Sequence, residues 1–136
     1  MGLGINPEPI LQSLELVVER IGDPTPQVYE RLFATQPEME ALFVMDKDKA
    51  VRGHMLSEAL TAIIDFVGDR QYADNLMRSE IVNHDGMGVP PSVFATFFAV
   101  IRDTFRETLG DDWSDEMEKA WSVLLKEISD TIPVHA

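Results

Sequence analysis

The sequence predicts an all-α protein that forms a single domain. Apolar residues recur at spacings of three and four through nearly every long segment of the 136-residue chain. No segment alternates apolar and polar residues over the length of a strand, and no repeat, low-complexity tract or interdomain linker is visible. A chain of this length can bury one core, so we expect amphipathic helices packed against each other.

The first half of the chain contains three predicted helices and one short helical turn. Proline and glycine residues mark where these elements begin and end. The helices run over about Pro7–Ile21, Pro24–Thr35 and Val51–Val67, and the turn runs over Pro37–Phe43. A polar loop over 46–49 precedes the third helix, which we expect to be long and amphipathic.

The second half adds a shorter helix and two longer ones. The shorter helix contains Leu76–Val82 and ends near His84, where two glycines and two prolines make a firm break. The next helix runs through the phenylalanine-rich stretch 94–109, and the continued spacing favours a helix there over a strand. Ser114 is a predicted cap for the last helix, whose apolar stripe spans Met117–Ile132.

The composition excludes several classes of site and partner. The chain has no cysteine, which removes disulfides, thiolate metal sites and a cysteine nucleophile. Its 24 acidic and 11 basic residues give a net charge of −13, so we expect neither nucleic acid nor an anionic membrane as a partner. No secretion signal or membrane-spanning stretch is visible, and we expect a cytoplasmic protein. The common phosphate-loop, zinc-protease and serine-hydrolase motifs are also absent from the sequence.

Several short motifs follow one another in a specific order between residues 10 and 132. They are Tyr29 within Val-Tyr-Glu-Arg-Leu-Phe, the segment Pro37–Phe43, a long helix from Lys49, His-Asp-Gly-Met-Gly-Val at 84–89, Phe94, and Ala120-Trp121. Taken together, the ordered set resembles the bacterial single-domain globins, which are related to the haem domain of flavohaemoglobins. The resemblance implies one globin domain over residues 1–136, with about seven or eight helices around a pocket for haem b.

The resemblance also implies that His84 binds the haem iron, because residues 84–89 are similar to the proximal-histidine signature of the family. Neutral imidazole is a common ligand of haem iron, and of the other two histidines His135 lies beside the C-terminus while His54 remains a competitor. Glu80, one helical turn earlier, departs from the apolar residue usual in the family. Either its backbone carbonyl or its carboxylate would accept the hydrogen bond of the imidazole N–H, or Glu80 faces solvent, or the register shifts to Ile81.

On the opposite side of the haem, the resemblance assigns Tyr29 to a hydrogen bond with the gas ligand. Counting back from His84 by the separation usual in the family, the resemblance puts Arg52 at the entrance of the pocket, Gly53 at a close approach of two helices, and Leu56 over the iron. A shifted register would put His54 or Met55 at the entrance. That register is disfavoured because it would also bury the carboxylate of Glu58 against the haem ring.

The remaining residues assigned to the haem pocket are apolar, with one group of cations. Phe43 is expected to pack on the haem, together with Arg52 and Leu56. The other predicted contacts are Leu60, Ile81, Val89 and Phe94. Lys47, Lys49 and Arg52 fall within six positions and would either pair with the haem propionates or form an ordinary solvated loop.

The function implied by the resemblance is reversible binding of O2, NO or CO. Some relatives oxidise nitric oxide to nitrate, but turnover needs an electron source, and a separate reductase would have to supply it. Phe94 also replaces a tyrosine of the flavohaemoglobin pattern.

Two alternatives stay open: a cofactor-free helical regulatory or interaction domain with a basic partner, and a sensor of another tetrapyrrole or apolar ligand. The chain is expected to be a monomer or a homodimer.

Overall fold

The computed structural model describes residues 7–43, 46–47, 50–68 and 91–131. These residues form five α-helices and two 3-10 helices, and no strand occurs among them. The predicted all-α class is confirmed, and the described residues contain five α-helices where seven or eight helices were expected for the whole chain. The predicted helix over Leu76–Val82 lies outside the described residues. The α-helices are α1 (Pro7–Ile21), α2 (Thr25–Thr35), α3 (Ala50–Val67), α4 (Pro91–Leu109) and α5 (Asp115–Thr131), and the 3-10 helices are Pro37–Phe43 and Gly110–Asp112.

The helix boundaries follow the local signals in the sequence. Gly22 ends α1 in the left-handed region, with φ of 71°, and its N–H donates to the carbonyl of Val18 at 2.9 Å. Gly110 adopts φ of 51° directly after α4. Ser114 caps α5 as predicted, because its Oγ accepts a hydrogen bond from the N–H of Met117 at 3.1 Å. Proline and glycine therefore set the ends of several elements before any packing is considered.

The core lies where α1, α4 and α5 pack together, with α2 packed on α4 and α3 packed on α1 and α2. Trp121 of α5 is fully buried, and its ring lies edge-on to Phe105 of α4, with the centroids 5.8 Å apart. Its indole Nε1 donates to the Oγ of Ser13 at 3.0 Å, and Ser13 in turn donates to the carbonyl of Ile10 at 2.7 Å. This arrangement leaves the tryptophan nitrogen partnered inside an apolar core.

Arg20, near the end of α1, contacts the end of α4. Its Nη1 donates to the carbonyls of Thr108 and Leu109 at 3.2 and 3.1 Å, and its Nη2 pairs with the carboxylate of Asp112. A cation at a helix C-terminus satisfies carbonyls that have no partner within the helix. Among the described helices, none combines the length and the apolar character that a membrane span requires.

Candidate functional site

Tyr29 of α2 is buried among aromatic rings that belong to three elements. It is 2% exposed, and its ring centroid lies 5.8 Å from that of Phe33, 5.4 Å from Phe43 and 5.6 Å from Phe97. Its hydroxyl has no hydrogen-bond partner in the described part of the chain. A buried polar atom without a partner is uncommon, so this hydroxyl is a candidate for contact with a ligand.

Arg52 enters the same cluster from the first turn of α3. Its guanidinium carbon lies 5.4 Å from the ring centroids of both Phe33 and Phe43, and its Nη2 lies 3.4 Å from the carbonyl oxygen of Phe43. The side chain is 16% exposed, so most of the charge is shielded from solvent. Stacking on two aromatic faces gives the cation partners that water would otherwise provide.

Asp46 completes the cluster from the segment that precedes α3. Its carboxylate accepts hydrogen bonds from the backbone N–H groups of Val51 and Arg52, each at 3.0 Å. The same carboxylate lies 3.5 Å from Arg52 Nε, and its side chain is 4% exposed. Asp46 therefore satisfies two N–H groups of the first helical turn and also faces the arginine charge. The sequence places Asp46 in a polar loop, and no local pattern there signals this role.

The surroundings keep the Tyr29 hydroxyl protonated. Burial raises the pKa of Tyr29 well above its usual range, the nearby Arg52 charge opposes that rise, and the Asp46 charge adds to it. The phenol therefore carries its proton at neutral pH and is available as a hydrogen-bond donor.

The orientation of α3 shows which of its faces is buried against the rest of the described chain. Leu56 is 2% exposed and Leu60 packs partly buried against the core, on the same side of the helix as Arg52. The side chains of His54 and Glu58 are 76% and 49% exposed, with His54 Nε2 4.0 Å from Glu58 Oε1. The face that meets Tyr29 is thus the one with Arg52 and Leu56.

Other predicted features are placed differently or are not described. A Cβ atom added at Gly53 would meet no described atom within 4 Å, so the close helix approach expected there is not found among the described residues. Lys47 is exposed, and Arg52 faces Asp46 instead of forming an exposed cationic edge. The side chain of Phe94 on α4 lies outside the described part of the chain. The same holds for Lys49, Glu80, Ile81, His84 and Val89.

The structure therefore brings together Tyr29, Phe43 and Arg52 from separate elements, and it adds Phe33, Phe97 and Asp46 to them. Phe33 lies one helical turn after Tyr29, which is the signal in the sequence that would have identified it. No group of histidine, cysteine, aspartate or glutamate side chains within the described ranges could hold a metal ion.

Comparison with known proteins identifies a family for the chain. The family model described as Globin matches residues 26–132, which is most of the chain and includes every residue of the Tyr29 cluster. Neither the curated proteins nor the solved structures contain a significant match. The extent of the family match shows that the chain belongs to the globin family.

Proposed function

We propose that this globin binds haem b and uses it to bind O2 or another diatomic gas reversibly. The main support is the Tyr29 hydroxyl, which is buried, protonated and without a partner among the described residues. Leaving such a group unpaired costs about 1–3 kcal/mol, and a ligand that accepts its hydrogen bond would offset that cost. Family membership supports haem as the cofactor, and the unpartnered hydroxyl supports a ligand contact at Tyr29.

The residues around Tyr29 fit one side of a haem pocket. Phe43, Leu56 and Leu60 supply apolar surface, and Tyr29 supplies a donor with no competing acceptor in the described structure. On the other side we propose His84 as the iron ligand, with Ile81, Val89 and Phe94 as further haem contacts. Haem would supply the iron atom at which a diatomic gas binds.

The chain's own residues would select and retain the gas. The rings of Phe33, Phe43 and Phe97 exclude water from the Tyr29 hydroxyl, which strengthens any hydrogen bond that the hydroxyl donates. A gas with partial negative charge on its outer atom, such as O2 in a ferrous complex, would accept that bond. We therefore propose slow gas release as the characteristic property of the site.

An absorption spectrum of the full chain with added haemin tests this proposal. We expect a sharp Soret band with the wild type that is lost in His84→Gly, because the iron would then lack its protein ligand. His54→Gly is the matched control, since the His54 side chain is 76% exposed and lies on the side of α3 opposite to Arg52 and Leu56. A band that is unaffected by His84→Gly would reject the assigned ligand.

A wild-type chain that gives no Soret band would favour the alternative function, a cofactor-free helical regulatory or interaction domain.

We also propose that catalysis is not the primary role. Oxidation of nitric oxide would require electrons from a separate reductase, and steady-state consumption of NO without added reductase would argue against this assignment. A cytoplasmic location and a monomeric or homodimeric state remain part of the proposal.

A further inference from the structure

Asp46 and Arg52 form a pair of opposite charges beside the Tyr29 hydroxyl. Asp46 Oδ2 lies 3.5 Å from Arg52 Nε, and the two side chains are 4% and 16% exposed. Charges that are shielded in this way are screened little by salt, so each acts strongly on its neighbours. Arg52 Nε makes no hydrogen bond, which means that the pairing is electrostatic and leaves one donor of the guanidinium unused in the described structure.

Both members of the pair are held in place. Asp46 accepts the backbone N–H groups of Val51 and Arg52, each at 3.0 Å, which fixes the carboxylate against the start of α3. The Arg52 guanidinium lies over the Phe33 and Phe43 rings and near the Phe43 carbonyl. Because neither side chain can move away without losing several contacts, the two charges stay together.

An arginine in this position without a counter-charge would give the pocket a positive potential. Small anions would then be drawn to it and would receive hydrogen bonds from Arg52 as well as from Tyr29. Asp46 brings the net charge of the pair close to zero. We infer that Asp46, by neutralising Arg52, makes the site select uncharged diatomic gases over small anions. This inference rests on the proposed haem-binding function and deepens it by naming what the site rejects.

The test compares an anion and a neutral gas on the haem-loaded chain. In Asp46→Asn we expect the affinity of the ferric protein for azide to rise at least tenfold, while the affinity of the ferrous protein for CO stays within threefold. Glu58→Gln is the matched control, because it removes one negative charge from the more exposed side of the same helix. We expect it to leave both affinities within twofold.

Two further variants show whether the effect depends on Arg52. In the double variant Asp46→Asn with Arg52→Gln, the azide affinity should return to within threefold of the wild type. Asp46→Ser removes the same charge with a different side chain, and it should behave like Asp46→Asn. An azide gain that persists without Arg52 would overturn the inference.

Urea unfolding of the full chain without haemin gives a readout that does not need the cofactor. Asp46→Asn should lower the unfolding midpoint, and it should lower it less when Arg52 is already replaced by glutamine. If haemin binds but Asp46→Asn changes azide affinity by less than twofold, the selectivity is overturned and the proposed function stands. If the wild type binds no haemin, both are overturned, and the urea data then show whether the pair is only structural.

Discussion

Tyr29 differs from an ordinary core tyrosine in the state of its hydroxyl. A tyrosine that only builds a core usually donates to a backbone carbonyl, whereas this hydroxyl has no partner within the described ranges. Three aromatic rings surround the phenol, so the hydroxyl is desolvated without compensation. The side chain is therefore better suited to a ligand than to the stability of the empty protein.

Tyr29→Phe separates these two roles. We expect the O2 dissociation rate of the haem-loaded ferrous protein to rise about ten- to hundredfold, which corresponds to about 1.5–3 kcal/mol for the lost hydrogen bond. The free energy of unfolding of the chain without haemin should stay equal or increase, because an unpaired buried hydroxyl is removed. Flash photolysis and urea denaturation measure the two effects. A dissociation rate within twofold of the wild type would refute the ligand contact.

Ser13 shows the opposite case, a buried hydroxyl with two partners. Ser13→Ala leaves Trp121 Nε1 without its acceptor in the centre of the core, so we expect a loss of about 1–3 kcal/mol in the free energy of unfolding. Urea or guanidinium unfolding measures the change. Ser122→Ala, at an exposed position of α5, is the control and should shift stability by less than about 0.5 kcal/mol.

At the scale of elements, the ends of the helices matter most for the site. The short 3-10 helix Pro37–Phe43 lies between α2 and α3 and places Phe43 against both Tyr29 and Arg52. The start of α3 is set by Asp46, whose carboxylate accepts two first-turn N–H groups. Phe43 and Asp46, both in the segment between α2 and α3, thus determine where Arg52 lies relative to Tyr29.

The start of α5 contains a carboxylate whose ionised form is stabilised. Trp113 Nε1 donates to Glu118 Oε1 at 2.8 Å, and Arg106 Nη1 lies 3.4 Å from the same oxygen. The indole hydrogen bond is the largest cause that lowers the pKa of Glu118 below 4.5, and burial partly opposes it. Because the folded-state pKa is depressed, the stabilisation is present above pH 4.5 and is lost as the pH falls through the folded-state value.

Glu118→Gln tests this linkage. We expect the variant to be less stable than the wild type at pH 7, and the difference to shrink below pH 4.5, where the wild-type carboxyl takes up its proton. Free energies of unfolding at several pH values measure the difference. Glu116→Gln, exposed on the same turn of α5, is the control and should show a smaller difference at pH 7. A difference between wild type and Glu118→Gln that is independent of pH would contradict the assignment.

For the whole molecule, the net charge of −13 is a source of repulsion that the fold must tolerate. Ion pairs such as Arg31 with Glu107, at 2.8 Å, offset little of it because the carboxylate of this pair is largely exposed. The repulsion among carboxylates acts over longer distances than the attraction within a single ion pair, and it sums over many carboxylates. Salt therefore screens more repulsion than attraction in this chain.

We accordingly expect stability to rise with ionic strength. Raising NaCl from about 0.01 M to about 0.15 M shortens the Debye length from about 30 Å to about 8 Å. The thermal unfolding midpoint should then increase by about 2–5 °C. Differential scanning calorimetry measures the midpoint, with sucrose at matched osmolarity as the control for effects unrelated to charge. A midpoint that falls with added salt would mean that attractive pairs dominate.

Much of the fold could be predicted from local signals. The spacing of Val28, Leu32 and their neighbours predicts the buried face of α2, and Gly22 and Gly110 mark helix ends because they adopt positive φ without strain. The apolar run at 93–101, near the start of α4, also suits a strand, and only its continuation to Leu109 favours a helix.

The sequence by itself determined the helical class and most helix limits, because spacing and turn residues are local properties, and its resemblance to the globins supplied the candidates Tyr29, Phe43 and Arg52. Only the tertiary structure decided which side of α3 meets Tyr29, and it put Arg52 and Leu56 there with His54 exposed. It also showed that Asp46, which the sequence places in a polar loop, lies opposite the charge of Arg52. The burial of these side chains depends on contacts with other elements, such as those of Arg52 with Phe33 and Phe43, and no local pattern encodes how separate segments pack.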